Sequence, residues 1–172
     1  MTVRLEAGDP AELSAIRRVN EAAFRRADEA NLVEALRTEG AVLASLVAEL
    51  GGHVVGHILF SRMWIESAAG QIPAAALAPV AVLPEHQRQG IGGRLIRSGL
   101  DVLRQQGERI VVVLGHPDYY PRFGFSTEMA RSLESPFPAD AYMALEIEPG
   151  TLKGIRGKVR YAAAFSIEGG PP

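Results

Sequence analysis

The chain has 172 residues, of which 47% are hydrophobic and 22% are charged, and its formal net charge is −2. These values predict one globular domain over residues 1–172 and exclude a disordered tail. The sequence has no cysteine, which excludes disulfides, thiolate nucleophiles and thiolate zinc sites, and we expect no bound metal.

The N-terminal ten residues carry charges at Arg4, Glu6 and Asp9, which interrupt any apolar run of the kind found in signal peptides. We therefore expect a cytoplasmic protein. The longest uncharged stretch, residues 67–84, contains Pro73 and Pro79, which favours strands and turns over a membrane-spanning helix. With so small a net charge, the chain is expected to bind neither membranes nor nucleic acid.

Residues 3–6 predict a short first strand. Asp9 is then suited to cap a helix and Pro10 to its first position, so a helix is predicted from there to about Phe24. Its apolar residues recur every three or four positions and form one buried face: Leu13, Ile16, Val19 and Ala23. A second, shorter helix is predicted over residues 31–37.

Residues 46–50 and 54–64 are rich in β-forming residues and are separated by Gly51-Gly52, which predicts a β-hairpin. Another extended run follows over residues 75–83. Pro79 lies inside this run and cannot donate a hydrogen bond to a neighbouring strand. We therefore expect the strand to be bulged, or to lose a partner, at that position.

Residues 91–106 form the clearest predicted helix, with apolar side chains stacked on one side and Gly107 at its end. The Ile-Val-Val-Val-Leu run within residues 109–114 predicts a strand that is buried on both faces. The remaining predicted elements are a short helix over residues 118–123 and strands over residues 142–147 and 159–165.

The segment VAVLPEHQRQGIGGRL, residues 80–95, joins a strand to a helix through a loop that contains Gln87, Gly90, Gly92 and Gly93. Glycines let backbone N–H groups approach an anion closely, and the following helix adds unpaired N–H donors, so a pyrophosphate is the natural ligand. No Gly-Lys-Ser/Thr follows, which excludes a Walker A loop. The same spacing would also suit a tight strand-to-helix turn without any ligand.

Two further motifs accompany this loop. Val80-Ala81-Val82-Leu83-Pro84 stands at its start, and Tyr120 opens the sequence Tyr-Pro-Arg-Phe-Gly-Phe. In these motifs the chain resembles the GNAT superfamily of acyl-CoA-dependent N-acetyltransferases, whose signature is V-x-P, then Q/R-x-x-G-x-G/A, then Y-x-x-x-G-F. The resemblance covers nearly the whole chain, and residues 143–165 are similar to a subgroup of small predicted acetyltransferases.

The resemblance implies an α/β (α+β) fold, with a mixed, mostly antiparallel central sheet of about seven strands, a splayed central strand pair and flanking helices. It also implies that acetyl-CoA binds as co-substrate, with its pantetheine arm paired to a strand and its pyrophosphate held by loop amides. The residues implied are Val80, Ala81, Val82, Gln87, Arg88, Gln89, Gly90, Ile91, Gly92 and Gly93. Arg88, Arg94 and Arg97 are candidates for the outer phosphates, although arginines on an exposed helix face need no ligand.

The resemblance implies that Tyr120 is the catalytic residue. A phenol with a pKa of about 10 stays neutral near pH 7 and can give a proton to the departing thiolate of coenzyme A. The alternative is that Tyr120 only packs. Tyr119 is expected to point elsewhere, and Phe123 and Phe125 are expected in the core.

The amine must lose a proton before it attacks, and many relatives use a glutamate on the strand before the loop. Here no carboxylate occurs within residues 72–83. The alternatives are His57, Glu49, Glu66 and His116, each of which is also suited to an ordinary surface or packing position. His116 follows the 109–114 strand and is the best placed of the four.

The sequence therefore predicts an N-acetyltransferase that transfers acetyl from acetyl-CoA to a primary amine by direct attack in a ternary complex. The acceptor would be a small-molecule or peptide amine whose identity the sequence does not give. The alternative is a catalytically silent acyl-CoA-binding sensor or partner module, because the strand glutamate is missing. The family resemblance is also compatible with a homodimer through the late strands.

Overall fold

The computed structural model describes residues 1–166, in which one mixed sheet carries helices on both faces. The strands are β1 (Thr2–Leu5), β2 (Val42–Leu50), β3 (His53–Ser67), β4 (Gly70–Val82), β5 (Ile110–Leu114), β6 (Leu133–Glu134), β7 (Tyr142–Glu146) and β8 (Gly157–Tyr161). The helices are α1 (Pro10–Phe24), α2 (Asp28–Glu39) and α3 (Ile91–Gln105). The predicted end of the domain at residue 172 lies outside the described residues.

The strand order is β1-β2-β3-β4-β5-β7, and β8 pairs with β3 beyond the end of β2, with the short β6 beside it. All pairs are antiparallel except β4 with β5 and β6 with β8. The predicted mixed, mostly antiparallel sheet is confirmed. The sheet has eight strands, whereas about seven were predicted. The additional strand is β6, which has only two residues and therefore no sequence pattern that reveals it.

Several predicted boundaries were wrong. β4 begins at Gly70, because its first residues pair continuously with β3 around a tight turn. α2 is longer than predicted at both ends and stops at Gly40, whose φ of 73° is left-handed. The last strand ends at Tyr161, since the backbone amides of Ala163 and Ala164 donate to the Glu39 carboxylate at 2.8 and 2.9 Å and turn the chain toward α2.

The two faces of the sheet have separate cores. α3 packs its apolar side on one face, where Leu95, Leu103 and Phe60 are fully buried. α1 and α2 cover part of the other face, where Ile16 and Leu36 pack against Leu59, and the late segment covers the rest, with Leu133 and Leu152 in one cluster with Met63. Within residues 1–166, no helix has the length and apolarity needed to cross a membrane.

β4 and β5 form a fork. They pair only at Ala75 with Val111 and at Ala76 with Val112, and beyond these residues the two strands diverge. The register of β4 against β3 shifts at the same place, where Ala78 and Pro79 oppose the single residue Leu59. The predicted irregularity at Pro79 is therefore a bulge, which lies at the opening of the fork.

A chain of hydrogen bonds runs beneath α1 through the buried side chain of His57. Asn20 Nδ2 donates to His57 Nδ1 at 3.1 Å, and His57 Nε2 lies 2.9 Å from Ser45 Oγ. The Ser45 hydroxyl donates to Glu6 at 2.5 Å, so the hydrogen-bond pattern assigns the proton of the neutral imidazole to Nε2. Glu6 is in turn paired with Arg37. Burial lowers the pKa of His57 to about 3.

This imidazole makes stability depend on pH. Because the folded pKa is depressed from 6.5 to about 3, the folded state binds fewer protons than the unfolded state, and stability falls as pH falls below 6.5. Between pH 8 and pH 5 we expect a loss of about 2 kcal/mol from this group. Urea unfolding of the wild type and of His57→Gln at both pH values checks this. The free energy of unfolding of the variant should fall by about 2 kcal/mol less than that of the wild type between pH 8 and pH 5. An equal fall in both proteins would contradict the lowered pKa of His57.

Candidate functional site

A cleft of about 540 Å³ opens between the end of β4 and the first turn of α3. Of the ten residues predicted to hold the co-substrate, eight line it: Val80, Val82, Gln87, Arg88, Gly90, Ile91, Gly92 and Gly93. The other two do not. Ala81 is buried on the opposite face, beside its register partner His57 on β3. Gln89 is exposed, and its amide group donates to the carbonyl of Glu85 at 3.4 Å.

The loop between β4 and α3 is shaped by its own backbone. Arg88 and Gly90 have φ angles of 59° and 82°, so the chain turns sharply twice before the helix begins. The Gln87 amide donates to the carbonyl of Val82 at 2.9 Å and fixes the start of the loop. No side chain caps α3 at Gly90. Its first amides have no partner within the helix and are available to an anion.

Two arginines and two aromatic rings form one continuous stack along the cleft, which we call the cation–aromatic ladder: Arg122, Tyr119, Phe123 and Arg97. The guanidinium carbon of Arg122 lies 4.7 Å from the centre of the Tyr119 ring, and that of Arg97 lies 5.0 Å from the centre of the Phe123 ring. The two rings meet edge to face at 5.3 Å. All four residues line the cleft.

The ladder corrects two expectations. Tyr119 was expected to point elsewhere and Phe123 to lie in the core, yet both face the cleft, and only Phe125 is a core residue. The signal that could have found them is their spacing of four, because a helical turn brings such residues to one side. Among the candidate arginines, Arg88 and Arg97 line the cleft and Arg94 does not.

Tyr120 packs against Gly115, the residue that follows β5, and is not itself among the residues that line the cleft. It is 7% exposed, and its ring packs so closely on Gly115 that a Cβ there would stand 2.2 Å from its Cε2. The Tyr120 hydroxyl makes no hydrogen bond to the described residues. It is not one of the fully buried polar atoms that lack a partner. Burial, and to a smaller extent Tyr119, raises the pKa of Tyr120 to about 12, so the phenol is neutral near pH 7.

The four candidates for the base are far apart in the fold. His57 is fully buried in its hydrogen-bond chain. Glu49 is paired with Arg4, and Glu66 is paired with Arg160 near the turn of the β3–β4 hairpin. His116 is exposed two residues after the end of β5, which is the fork end of that strand. Within residues 1–166, no three His, Asp or Glu side chains lie together in a metal-binding arrangement.

Known proteins share this architecture. A family model described as an acetyltransferase (GNAT) domain matches residues 5–127. The uncharacterized N-acetyltransferase YjhQ of Escherichia coli is 44% identical over 119 residues, which are 68% of this chain and 66% of that relative. The crystal structure of the GNAT N-acetyltransferase YhbS of Escherichia coli, in complex with CoA, superposes with a TM-score of 0.88 at 30% identity, covering 99% of this chain and 94% of that one. A GNAT acetyltransferase from Brucella melitensis, in complex with acetyl-CoA, has a TM-score of 0.79 at 40% identity, covering 95% and 97%.

Gly115 sets the position of Tyr120. Gly115→Ala would drive a methyl group into the Tyr120 ring, and overpacking of this kind costs about 1–3 kcal/mol. We expect a lower midpoint of urea unfolding and a changed near-ultraviolet signal from the tyrosines. Gly92→Ala is the control, because its Cβ would meet the hydroxyl of Tyr119 at 3.3 Å and a methyl group of Val82 at 4.0 Å, neither of which is a severe clash. Equal midpoints for both variants would show that Tyr120 is free to move away.

Proposed function

The chain belongs to the GNAT acetyltransferase family and is an acyl-CoA-dependent N-acyltransferase, and we propose that it transfers acetyl from acetyl-CoA to a primary amine by direct attack. The observation that carries this proposal is the fork between β4 and β5, which opens beside a glycine-rich helix N-terminus. One end of that space suits a pyrophosphate, and the other suits a thioester.

The residues around the cleft fit the co-substrate. Glycines at positions 90, 92 and 93 let the amides of α3 approach a pyrophosphate, and Arg88 supplies positive charge. Beyond Ala76, the edge of β4 that faces β5 has no partner strand. The backbone groups of Val80 and Val82 could therefore pair with the amide groups of the pantetheine arm, as an added strand would, whereas those of Ala81 face β3.

Tyr120 serves the departing sulfur in this proposal. The amine nitrogen forms a bond to the acetyl carbon while the carbon–sulfur bond breaks, and the electron pair of that bond leaves with sulfur. The Tyr120 hydroxyl gives its proton to sulfur, and the phenol regains a proton from the nitrogen, which must lose one to become an amide. The raised pKa of about 12 keeps the hydroxyl protonated until that moment.

The amine itself arrives mostly as an ammonium and must first lose a proton. His116 is the candidate at the fork end of β5 that is open to solvent. An imidazole there can pass the proton to water, which suits a general base. No carboxylate stands on β4, and this observation favours a second candidate function, an acyl-CoA-binding module without turnover.

Calorimetric titration with acetyl-CoA tests the binding half of the proposal. We expect a single site, and Gly92→Val should weaken it by about tenfold or more, because its side chain would crowd the Tyr119 hydroxyl and the amides behind it. Ser98→Val, in the same helix but away from the cleft lining, is the control and should bind as the wild type does. No binding by the wild type would refute both candidate functions.

Tyr120→Phe tests the chemical half. With an amine found by screening primary amines for thiol release, we expect kcat to fall by about 10²-fold or more, because the proton donor is lost. The dissociation constant for acetyl-CoA should stay nearly the same, since the ring remains in place. An unchanged kcat would remove Tyr120 from the mechanism. Binding without release of thiol for any amine would favour the silent module.

A further inference from the structure

A second cavity, of about 290 Å³, lies between α1 and α2 and shares no lining residue with the cleft. Leu13, Ile16 and Val33 supply its apolar walls, and Asn20 is also one of its lining residues. Ile16 and Val33 belong to the same buried cluster as Ala78 of β4. This apolar layer therefore separates the cavity from the fork.

Asn20 contributes a hydrogen-bond acceptor that the protein itself does not use. The residue is fully buried, and its Nδ2 donates to the carbonyl of Ile16 at 3.0 Å and to His57 Nδ1 at 3.1 Å. These two contacts use both N–H bonds of the amide group, whereas Oδ1 accepts no hydrogen bond within residues 1–166. Because buried amide oxygens are normally paired with a donor, a ligand that completes this side chain must carry an N–H or O–H group.

The arginines that line the cavity are already neutralised by carboxylates. Arg37 is paired with Glu6, and Arg17 is paired with both Glu21 and Glu34 at 2.8 Å. These ion pairs contain three carboxylates and two guanidinium groups, so together they carry a formal charge of −1. A donor group with a positive charge therefore matches the cavity better than a neutral donor or an anion does.

We propose that the cavity between α1 and α2 is a second amine site, which binds a small alkyl ammonium ion apart from the fork. The ammonium group donates to Oδ1 of Asn20, and the carboxylate of Glu34, which also lines the cavity, balances its charge. The alkyl chain packs on the apolar walls. Because Asn20 is shielded from water, its hydrogen bond to the ligand is stronger than one at the surface. An amine can bind here without being acetylated, so the inference goes beyond the proposed function.

The test is a nuclear magnetic resonance titration with three ligands that share a butyl chain: n-butylammonium, n-butanol and pentanoate. With butylammonium, the backbone amide signals of Asn20 and Val33 should shift and reach saturation, with a dissociation constant in the millimolar range that is expected of so small a ligand. Butanol has a donor but no charge and should bind about threefold more weakly or less. Pentanoate brings only acceptors and a negative charge, and it should not shift these signals.

Three variants locate the bound ammonium group. Asn20→Leu keeps a similar volume but lacks Oδ1, and the dissociation constant read from the Val33 signal should rise by about tenfold or more. Glu34→Gln changes a side chain that is 58% exposed and should raise the constant about two- to fivefold, which keeps the test decisive if Asn20→Leu does not fold. Glu21→Gln is the matched control, because Glu21 also pairs with Arg17 but does not line the cavity, and its effect should be smaller.

The other outcomes overturn the second amine site. These are shifts confined to the surroundings of Tyr120, equal binding of butanol, saturable binding of pentanoate, or a folded Asn20→Leu protein that binds butylammonium as the wild type does. Equal effects of Glu34→Gln and Glu21→Gln would show a response to net charge alone and would also overturn it. None of these results touches the proposed function, whereas a protein that binds butylammonium but not acetyl-CoA keeps the second amine site and refutes the proposed function.

Discussion

At Ala78 and Pro79, β4 carries one more residue than the strand opposite, and a strand with a period of two that gains one residue exchanges its faces. Before the bulge, Ala75 and Leu77 face α3, and after it Val80 and Val82 do. Without the extra residue, Val80 and Val82 would point toward α1 and would not line the cleft. Proline suits this position because it has no N–H to offer a partner strand. The lining of the cleft by Val80 and Val82 follows from this irregularity, which lies two residues beyond the last β4–β5 pair.

The two sides of the fork differ in the titratable groups that they carry. Tyr120 is buried and neutral, with its ring held by Gly115 and its pKa raised to about 12, so its hydroxyl stays protonated near pH 7 and, under the proposed function, is available to the departing sulfur. The proton on the incoming amine has no comparable partner on β4, where carboxylates are absent. Under the proposed function, the proton of the amine would go to a solvent-accessible group such as His116, whereas the ring of Tyr120 is already held in place by packing.

The sequence was most informative where one residue type has one physical meaning. Pro79 indicated a bulge, the run in β5 indicated a buried strand, and the loop glycines indicated a helix N-terminus open to an anion. The sequence was least informative where tertiary contacts decide the end of a strand or the direction of a side chain. Nothing in the local sequence shows that Glu39 ends the last strand. The spacing of positions 119 and 123 indicates that the two aromatic rings share one side, but not that this side faces the cleft. Short strands and side-chain directions depend on partners that are distant in sequence.

Gly92 and Gly93 also make room for the segment that follows β5, so that this segment packs against the first turn of α3. From the sequence, these glycines let the backbone approach a phosphate. In the structure, the space of their missing side chains borders the Tyr119 hydroxyl and the Arg97 guanidinium, with Phe123 behind. A side chain larger than that of alanine at either position would therefore crowd the segment that carries Tyr120 as well as the loop. The glycine loop and the segment that carries Tyr120 thus pack against each other.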